Sequence, residues 1–309
     1  IIQLSQAILH QFPPWYKTIN NLSFFFKCFI QIILLILICL LLYILSILFL
    51  LKNNICLAPL GTTGEANSVS ISEKIDLIKT IGSSDLPKEK IIIGTGNTSF
   101  VDAALLTKTA VENKIYSVLL LPPFYYKNVS DEGVYQYYKE IINTTKSKNL
   151  RVFLYNIPQV SGVTISIDLV NRLKKEFSDT ITGIKDSSGN FENTKKYKEI
   201  KNFVVYPGSE KFLYDGLHIG CSGCISATTN VNIEAAKLIN SFDKSEGESI
   251  NKRIKAVRDI FEKYPVIAAL KATKIKEDSN WSNIRPPLVA LSDQQKSNLA
   301  KDLKDINFS

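Results

Sequence analysis

Two stretches decide the fold: Arg151-Val-Phe-Leu-Tyr-Asn-Ile-Pro158 and, thirty residues after its tyrosine, the lysine-bearing run Ile181-Thr-Gly-Ile-Lys-Asp-Ser-Ser-Gly-Asn190. Each is a short β-rich run that stops at turn-forming residues and is followed by a longer stretch of helical pattern. Short strands alternating with helices are βα units of a parallel sheet. In a barrel of such units, chemistry sits at the carboxyl ends of the strands. These two runs place Tyr155 and Lys185 there. Neighbouring strands lie ~4.8 Å apart, so the phenol and the amine can face each other across one strand spacing.

The same punctuation recurs along the chain. Strands are expected over 55–60, 91–94, 116–121, 152–155, 181–185, 203–206 and 224–227. Helices are expected over 72–81, 99–113, from 130 onward, 166–176, 190–200 and 210–219, with Ser72 as the N-cap of the first. Asp131 and Glu132 fall in the first turn of the third, where carboxylates suit the helix dipole. Seven strands in 309 residues predict an α/β (β/α)8 TIM barrel with a C-terminal helical extension. The expected division is an anomalous apolar segment over 1–54, a barrel catalytic domain over 55–232 and C-terminal helices over 233–309. Only 1–54 can supply the eighth strand and its helix.

Residues 28–51 read CFIQIILLILICLLLYILSILFLL, flanked by Lys27 and Lys52. That run is long enough for a membrane span, at ~20 residues, and exceeds a signal-peptide core of ~7–15. If it spans a membrane, residues 1–27 cannot close the barrel. Three readings compete: an unusually apolar β1–α1 region, a membrane anchor, or a mis-framed translation. The chain has no methionine, even at position 1, which predicts a fragment, a processed form or an imperfectly read frame.

The net charge of +8 comes from scattered lysines, without the clustered basic stripe and interleaved aromatics that nucleic acid requires. Five cysteines, an odd and uneven set, predict a reducing, cytoplasmic setting rather than a disulfide framework. Cys221-Ser-Gly-Cys224 runs into a strand-like stretch instead of opening a helix, and the only histidines are His10 and His218, so neither redox nor zinc chemistry is expected. Gly94-Thr-Gly96 lacks the third glycine of a dinucleotide turn, because position 99 is serine.

Among the strand ends, Lys185 alone is a lysine closing an apolar strand. Desolvation favours its neutral, nucleophilic form and suits Schiff-base formation; a strand-end lysine reaching solvent is the alternative. Tyr155 is a proton relay or a core aromatic. Gly61-Thr62-Thr63-Gly64 is a glycine-flanked turn that can aim hydroxyls and peptide N–H groups at a carboxylate. Glu65 after it is read as structural, pinning backbone N–H groups. Tyr125 and Tyr126 fit a pocket wall, a subunit contact or simple packing.

Taken in order, LAPLGTTGEA, GTGNTS, PPFYY, LYNIP, GIKDSSGN, GSE followed by GCISATTN, and the late YPVIAALKA and RPPLVALS make the chain resemble the dihydrodipicolinate synthase / N-acetylneuraminate lyase family from about 55 to 291. The resemblance implies a homo-oligomeric barrel, dimer or tetramer, that needs neither metal nor organic cofactor. Lys185 would form an imine with pyruvate or a similar 2-oxo acid, Tyr155 would relay protons, and Thr62 and Thr63 would bind the carboxylate. Ser187, Gly208, Glu210 and Ser226 would meet the rest of the substrate. One departure bears on the substrate. Gln159-Val-Ser-Gly162 follows the tyrosine motif where the synthases usually carry an arginine for a second carboxylate. The expected activity is therefore a pyruvate aldolase or lyase acting on a 2-keto-3-deoxy sugar acid. The rivals are 4-hydroxy-tetrahydrodipicolinate synthase, a dehydratase of the same family, and a membrane-anchored or inactive barrel used for binding.

Overall fold

The computed structural model describes residues 55–275 and 277–308. The expected eighth strand and the apolar run over 28–51 lie outside the described residues. Five strands, β1 Ile92–Gly94, β2 Ser117–Leu120, β3 Arg151–Asn156, β4 Ile181–Asp186 and β5 Val204–Pro207, pair in parallel and in chain order.

The two remaining expected strands flank this sheet as irregular segments. Leu57 bridges Ile91 in parallel, and the Gly94 N–H donates to the Pro59 carbonyl at 2.8 Å. On the other edge the Ser222 and Ile225 N–H groups donate to Val205 and Pro207 at 3.3 and 3.1 Å. Neither segment is a regular strand, for local reasons. Pro59 has no N–H to give, and Leu60 takes φ 56°. Gly223 takes φ 129°, a conformation that breaks the pleat. The chain thus has the (β/α) barrel architecture, with five parallel strands and two irregular flanking segments among the described residues.

Between them run α1 Ile71–Ser83, α2 Phe100–Glu112, α3 Asp131–Thr145, the single turn α4 Pro158–Ser161, α5 Ile167–Glu176, α6 Phe191–Lys198 and α7 Leu213–His218. Ser99, Ser130, Ser166 and Asn190 each cap a helix by accepting a first-turn N–H. The expected cap at Ser72 is corrected to Ser70, because Glu73 closes a capping box with Ser70 three residues before it. The expected helix over 210–219 starts as a 3-10 turn, Glu210–Phe212, before α7. The tail holds α8 Glu234–Ile239, α9 Gly247–Glu262, α10 Val266–Lys274 and α11 Asp293–Asp305.

The strands alternate between two buried faces. Ile92, Leu119, Phe153 and Tyr155 join Ala58, Ile157 and Ile225 in one apolar cluster inside the barrel. Ile93, Val118, Leu120, Val152, Leu154, Ile184 and Val205 point the other way and are fully buried as well. Burial on both faces is why the strands read as continuous apolar runs. Gly183 is needed under Lys185: a Cβ there would stand 2.2 Å from the Val204 carbonyl oxygen and 3.0 Å from the Phe153 ring. Gly183→Ala is expected to destabilise the protein by about 1–3 kcal/mol through overpacking, measured as a fall in the urea midpoint at constant slope. An unchanged midpoint would contradict this packing.

Candidate active site

Lys185 and Tyr155 are register partners on β4 and β3, each one residue from its strand end. The Lys185 ammonium Nζ donates to Tyr155 Oη at 3.0 Å, and Thr62 Oγ1 lies 3.2 Å from the same phenol oxygen. The lysine is 6% exposed and the tyrosine 3%, so the contact is almost dry. Burial by itself pushes the Tyr155 phenol up, but the Lys185 charge and hydrogen bonds from Thr62, Lys185 and Ser187 outweigh it. The phenol is held below its ordinary value of 10. The Tyr155 ring is part of the apolar cluster inside the barrel.

The next residue on each strand faces outward and locks the pair. Asn156 Nδ2 donates to Asp186 Oδ1 at 3.0 Å, Thr194 Oγ1 donates to Asp186 Oδ2 at 2.8 Å, and Ile165 N–H donates to Asn156 Oδ1 at 3.1 Å. The ladder continues past the lysine: Ser187 N–H donates to Asn156 O at 2.7 Å and Gly208 N–H to Asp186 O at 2.6 Å. Gly208 is glycine because a Cβ would stand 1.8 Å from Ser187 Oγ. Thr63 sits partly exposed in the 3-10 turn Thr62–Gly64.

Glu210 and Ser226 form a second hydrogen-bonded cluster. Ser226 Oγ donates to Glu210 Oε2, and Arg258 reaches both, at 3.2 Å to Ser226 Oγ and 3.6 Å to Glu210 Oε2. Glu210 is fully buried, and its Oε1 has no hydrogen-bond partner. Burial pushes its carboxyl up, against the lowering by Arg258 and Ser226. The Gln159 amide donates to the Ser187 carbonyl at 2.5 Å, and Val160 beside it is 55% exposed. Lys127 bonds the carbonyls of Phe124 and Ser161 at 2.6 and 2.8 Å, tying the Pro123–Tyr126 loop to α4. Cys221 and Cys224 are buried thiols pushed up by burial to about 11 and about 12, so both stay protonated at neutral pH.

The model of the dihydrodipicolinate synthetase family matches residues 47–306. The chain belongs to that family. It is 29% identical to a 4-hydroxy-tetrahydrodipicolinate synthase of Oceanobacillus iheyensis over 81% of this chain and 84% of that one. It is 31% identical to a 2-dehydro-3-deoxy-D-gluconate/2-dehydro-3-deoxy-phosphogluconate aldolase of Picrophilus torridus, over 60% and 68%. A solved dihydrodipicolinate synthase of Agrobacterium tumefaciens superposes with TM-score 0.75 at 30% identity, covering 82% and 87%.

In this family member, the residues singled out in the sequence divide into two groups. Lys185, Tyr155, Thr62 and Ser187 share one hydrogen-bonded centre, with Gly208 against Ser187. Glu210 and Ser226 hold each other beside Arg258. The sequence did not single out Asp186, Thr194, Arg258, Lys271 or Arg285. The first two carry an Asp-to-helix pattern of no special spacing. Lys271 and Arg285 meet Glu65 from the far end of the chain, 220 residues away for Arg285. Among the described residues, no helix is long and apolar enough to cross a membrane.

The Tyr155 titration is open to measurement. The difference in tyrosinate absorbance between the protein and Tyr155→Phe is expected to show Tyr155 ionising below 10. In Lys185→Ala the charge is gone and burial is left opposing the phenolate, so the same phenol is expected to ionise above 10. A Tyr155 titration indifferent to Lys185 would refute the electrostatic reading.

Proposed function

We propose that the protein is a Schiff-base-forming lyase that cleaves or condenses pyruvate with an aldehyde. The observation that carries this reading is the buried contact of 3.0 Å between the Lys185 ammonium and the Tyr155 phenol. An amine attacks only after losing its proton, and Tyr155 in its phenolate form is the group placed to take it. Lys185 then adds to the 2-oxo carbonyl. The carbinolamine loses water as Tyr155 returns a proton to the departing oxygen. In cleavage, the iminium accepts the electron pair of the adjacent breaking C–C bond. The substrate hydroxyl gives up its proton to the Tyr155 phenolate as the aldehyde leaves, and Tyr155 passes that proton to the carbon of the resulting enamine. Water then releases pyruvate and restores the amine. Thr62 orients Tyr155, and Thr62 with Thr63 receives the 2-oxo-acid carboxylate.

We extend the reading to a hydroxylated substrate, a 2-keto-3-deoxy sugar acid. Ser187, Gly208, Glu210 and Ser226 meet its distal hydroxyls; the unpartnered Glu210 Oε1 supports this, since a buried acceptor wants a donor. The stretch after Pro158 offers Gln159 and Val160 and no arginine for a second carboxylate. The name of the Oceanobacillus iheyensis relative keeps 4-hydroxy-tetrahydrodipicolinate synthase as the second reading. The proposal includes a homo-oligomer, supported by the exposed edge-to-face pair Tyr125 and Tyr126, and a cytoplasmic setting, supported by the buried thiols.

Borohydride reduction with pyruvate is expected to leave a covalent adduct on Lys185, located by peptide mass spectrometry, and none in Lys185→Ala. Tyr155→Phe is expected to lower kcat by about 10²–10⁴. No adduct on Lys185 would overturn the Schiff-base reading. Retro-aldol cleavage of 2-keto-3-deoxy sugar acids, set against condensation with aspartate semialdehyde, decides between the two substrates.

A further inference from the structure

We propose that Glu65 is a positioning residue through which the C-terminal segment holds the Thr62 hydroxyl against Tyr155. The inference deepens the reading of the site given above, and it rests on that reading for its effect on rate but not for its effect on the phenol.

Glu65 follows the Thr62–Gly64 turn and takes φ 55°, in the left-handed region that costs a residue with a side chain. Its N–H donates to the Thr62 carbonyl at 3.1 Å, and its own carbonyl accepts from Ser68 N–H at 2.8 Å. The backbone of Glu65 is therefore continuous with the turn that carries Thr62. Its side chain is 1% exposed and points away from solvent into the C-terminal segment. There Lys271 on α10 pairs with Oε1, and the Arg285 peptide N–H donates to Oε2 at 2.8 Å. Lys271 also donates to the Asn283 carbonyl at 2.6 Å, so one ammonium joins the turn to the segment before Arg285.

The Arg285 guanidinium extends the clamp. It bonds the two Glu73 carboxylate oxygens at 2.7 and 3.2 Å and reaches the Ser68 carbonyl at 3.4 Å. That guanidinium, first among several bonds, holds the Glu73 carboxyl down at about 2. Glu73 in turn closes the capping box of α1. The whole first loop, from Thr62 to the start of α1, is thus fastened to residues 271–285. At the other end of the same turn, Thr62 Oγ1 stands 3.2 Å from Tyr155 Oη. A buried carboxylate stripped of its partners is expensive, so the turn cannot leave this position while the clamp is closed. A displacement well under an ångström would break the Thr62 contact, and such misplacement is costly for proton transfer.

The test is a double-mutant cycle read on Tyr155 itself. Thr62→Val removes the hydroxyl and is expected to raise the Tyr155 ionisation, measured as tyrosinate absorbance against Tyr155→Phe. Glu65→Ala is expected to raise it by the same amount, and the double variant by no more than either. Glu65→Gln keeps the shape but only one of the two acceptor oxygens that Lys271 and the Arg285 N–H use, and is expected to give a shift between those of the wild type and Glu65→Ala. In turnover, Glu65→Ala should lower kcat on the order of tenfold with little change in KM. Additive effects of the two substitutions, or a Tyr155 titration that ignores Glu65, would overturn the proposal. Should Glu65→Ala not fold, Lys271→Met opens the same clamp from the other side and carries the same cycle. Wild-type protein that traps no pyruvate on Lys185 would instead sink the Schiff-base reading, leaving the titration cycle to decide the clamp alone.

Discussion

The Lys185–Tyr155 contact depends on one detail of strand pairing. Parallel partners point to the same face, and here the register slips once. Val152 pairs with Ile181 and Phe153 with Gly183, so Thr182 has no partner on β3. Without that bulge Tyr155 would stand opposite Ile184, and Lys185 opposite Asn156. One residue of slip is enough to send a side chain to the wrong face. The bulge therefore decides that phenol and ammonium meet inside the barrel. The Asn156–Asp186 hydrogen bond on the outer face holds the register in place, with Thr194 and Ile165 completing the polar set. Adjacent residues on the same two strand ends place the lysine–phenol contact on one face and an aligning hydrogen bond on the other.

Placing these groups in a dry environment gives their charges consequences. A phenol buried alone resists ionisation, and Tyr137 and Tyr206 are both pushed up, the latter to about 12, chiefly by burial. Tyr155 is the most fully buried of the three and moves the other way, because a lysine charge lies 3.0 Å off and Thr62 and Ser187 add hydrogen bonds. The contrast within one barrel separates tyrosines raised by burial from one lowered by a neighbouring cation.

What could be read from the sequence was what is written locally. The strand order, the helices between strands and the meeting of Tyr155 with Lys185 follow from apolar runs and from which residue ends each run. The Ser70 cap was also legible, since Glu73 three residues on marks the capping box, but Ser72 lay closer to the expected helix start. The slip at Thr182 has no such mark. Gly183 signals close approach, yet a glycine does not say which strand will shift. The two edge segments read as strands because they are apolar; the deviations at Leu60 and Gly223 become visible only in the backbone. The cationic partners of Glu65 and Glu210 come from the tail, and no spacing rule connects residues separated by up to 220 positions.

Those two carboxylates explain why the tail belongs to the site. Glu65 follows the loop after the first described segment, and Glu210 follows β5, so they sit in different loops of the barrel mouth. Both are buried, and both meet cations from the C-terminal helices, Lys271 on α10 and Arg258 on α9. Removing one partner from such a pair leaves a desolvated charge, which costs far more than the pair contributes. The C-terminal helices thus lock the mouth loops instead of merely covering the barrel. The two locks differ in kind. Each Glu65 oxygen has a partner, which suits a fixed turn beside Tyr155. Glu210 keeps one oxygen without a donor and has its carboxyl pushed up. A carboxyl left half-satisfied is the group more easily drawn toward a donor from outside the protein. The mouth is then fully bonded at the turn beside Tyr155 and less fully bonded at Glu210.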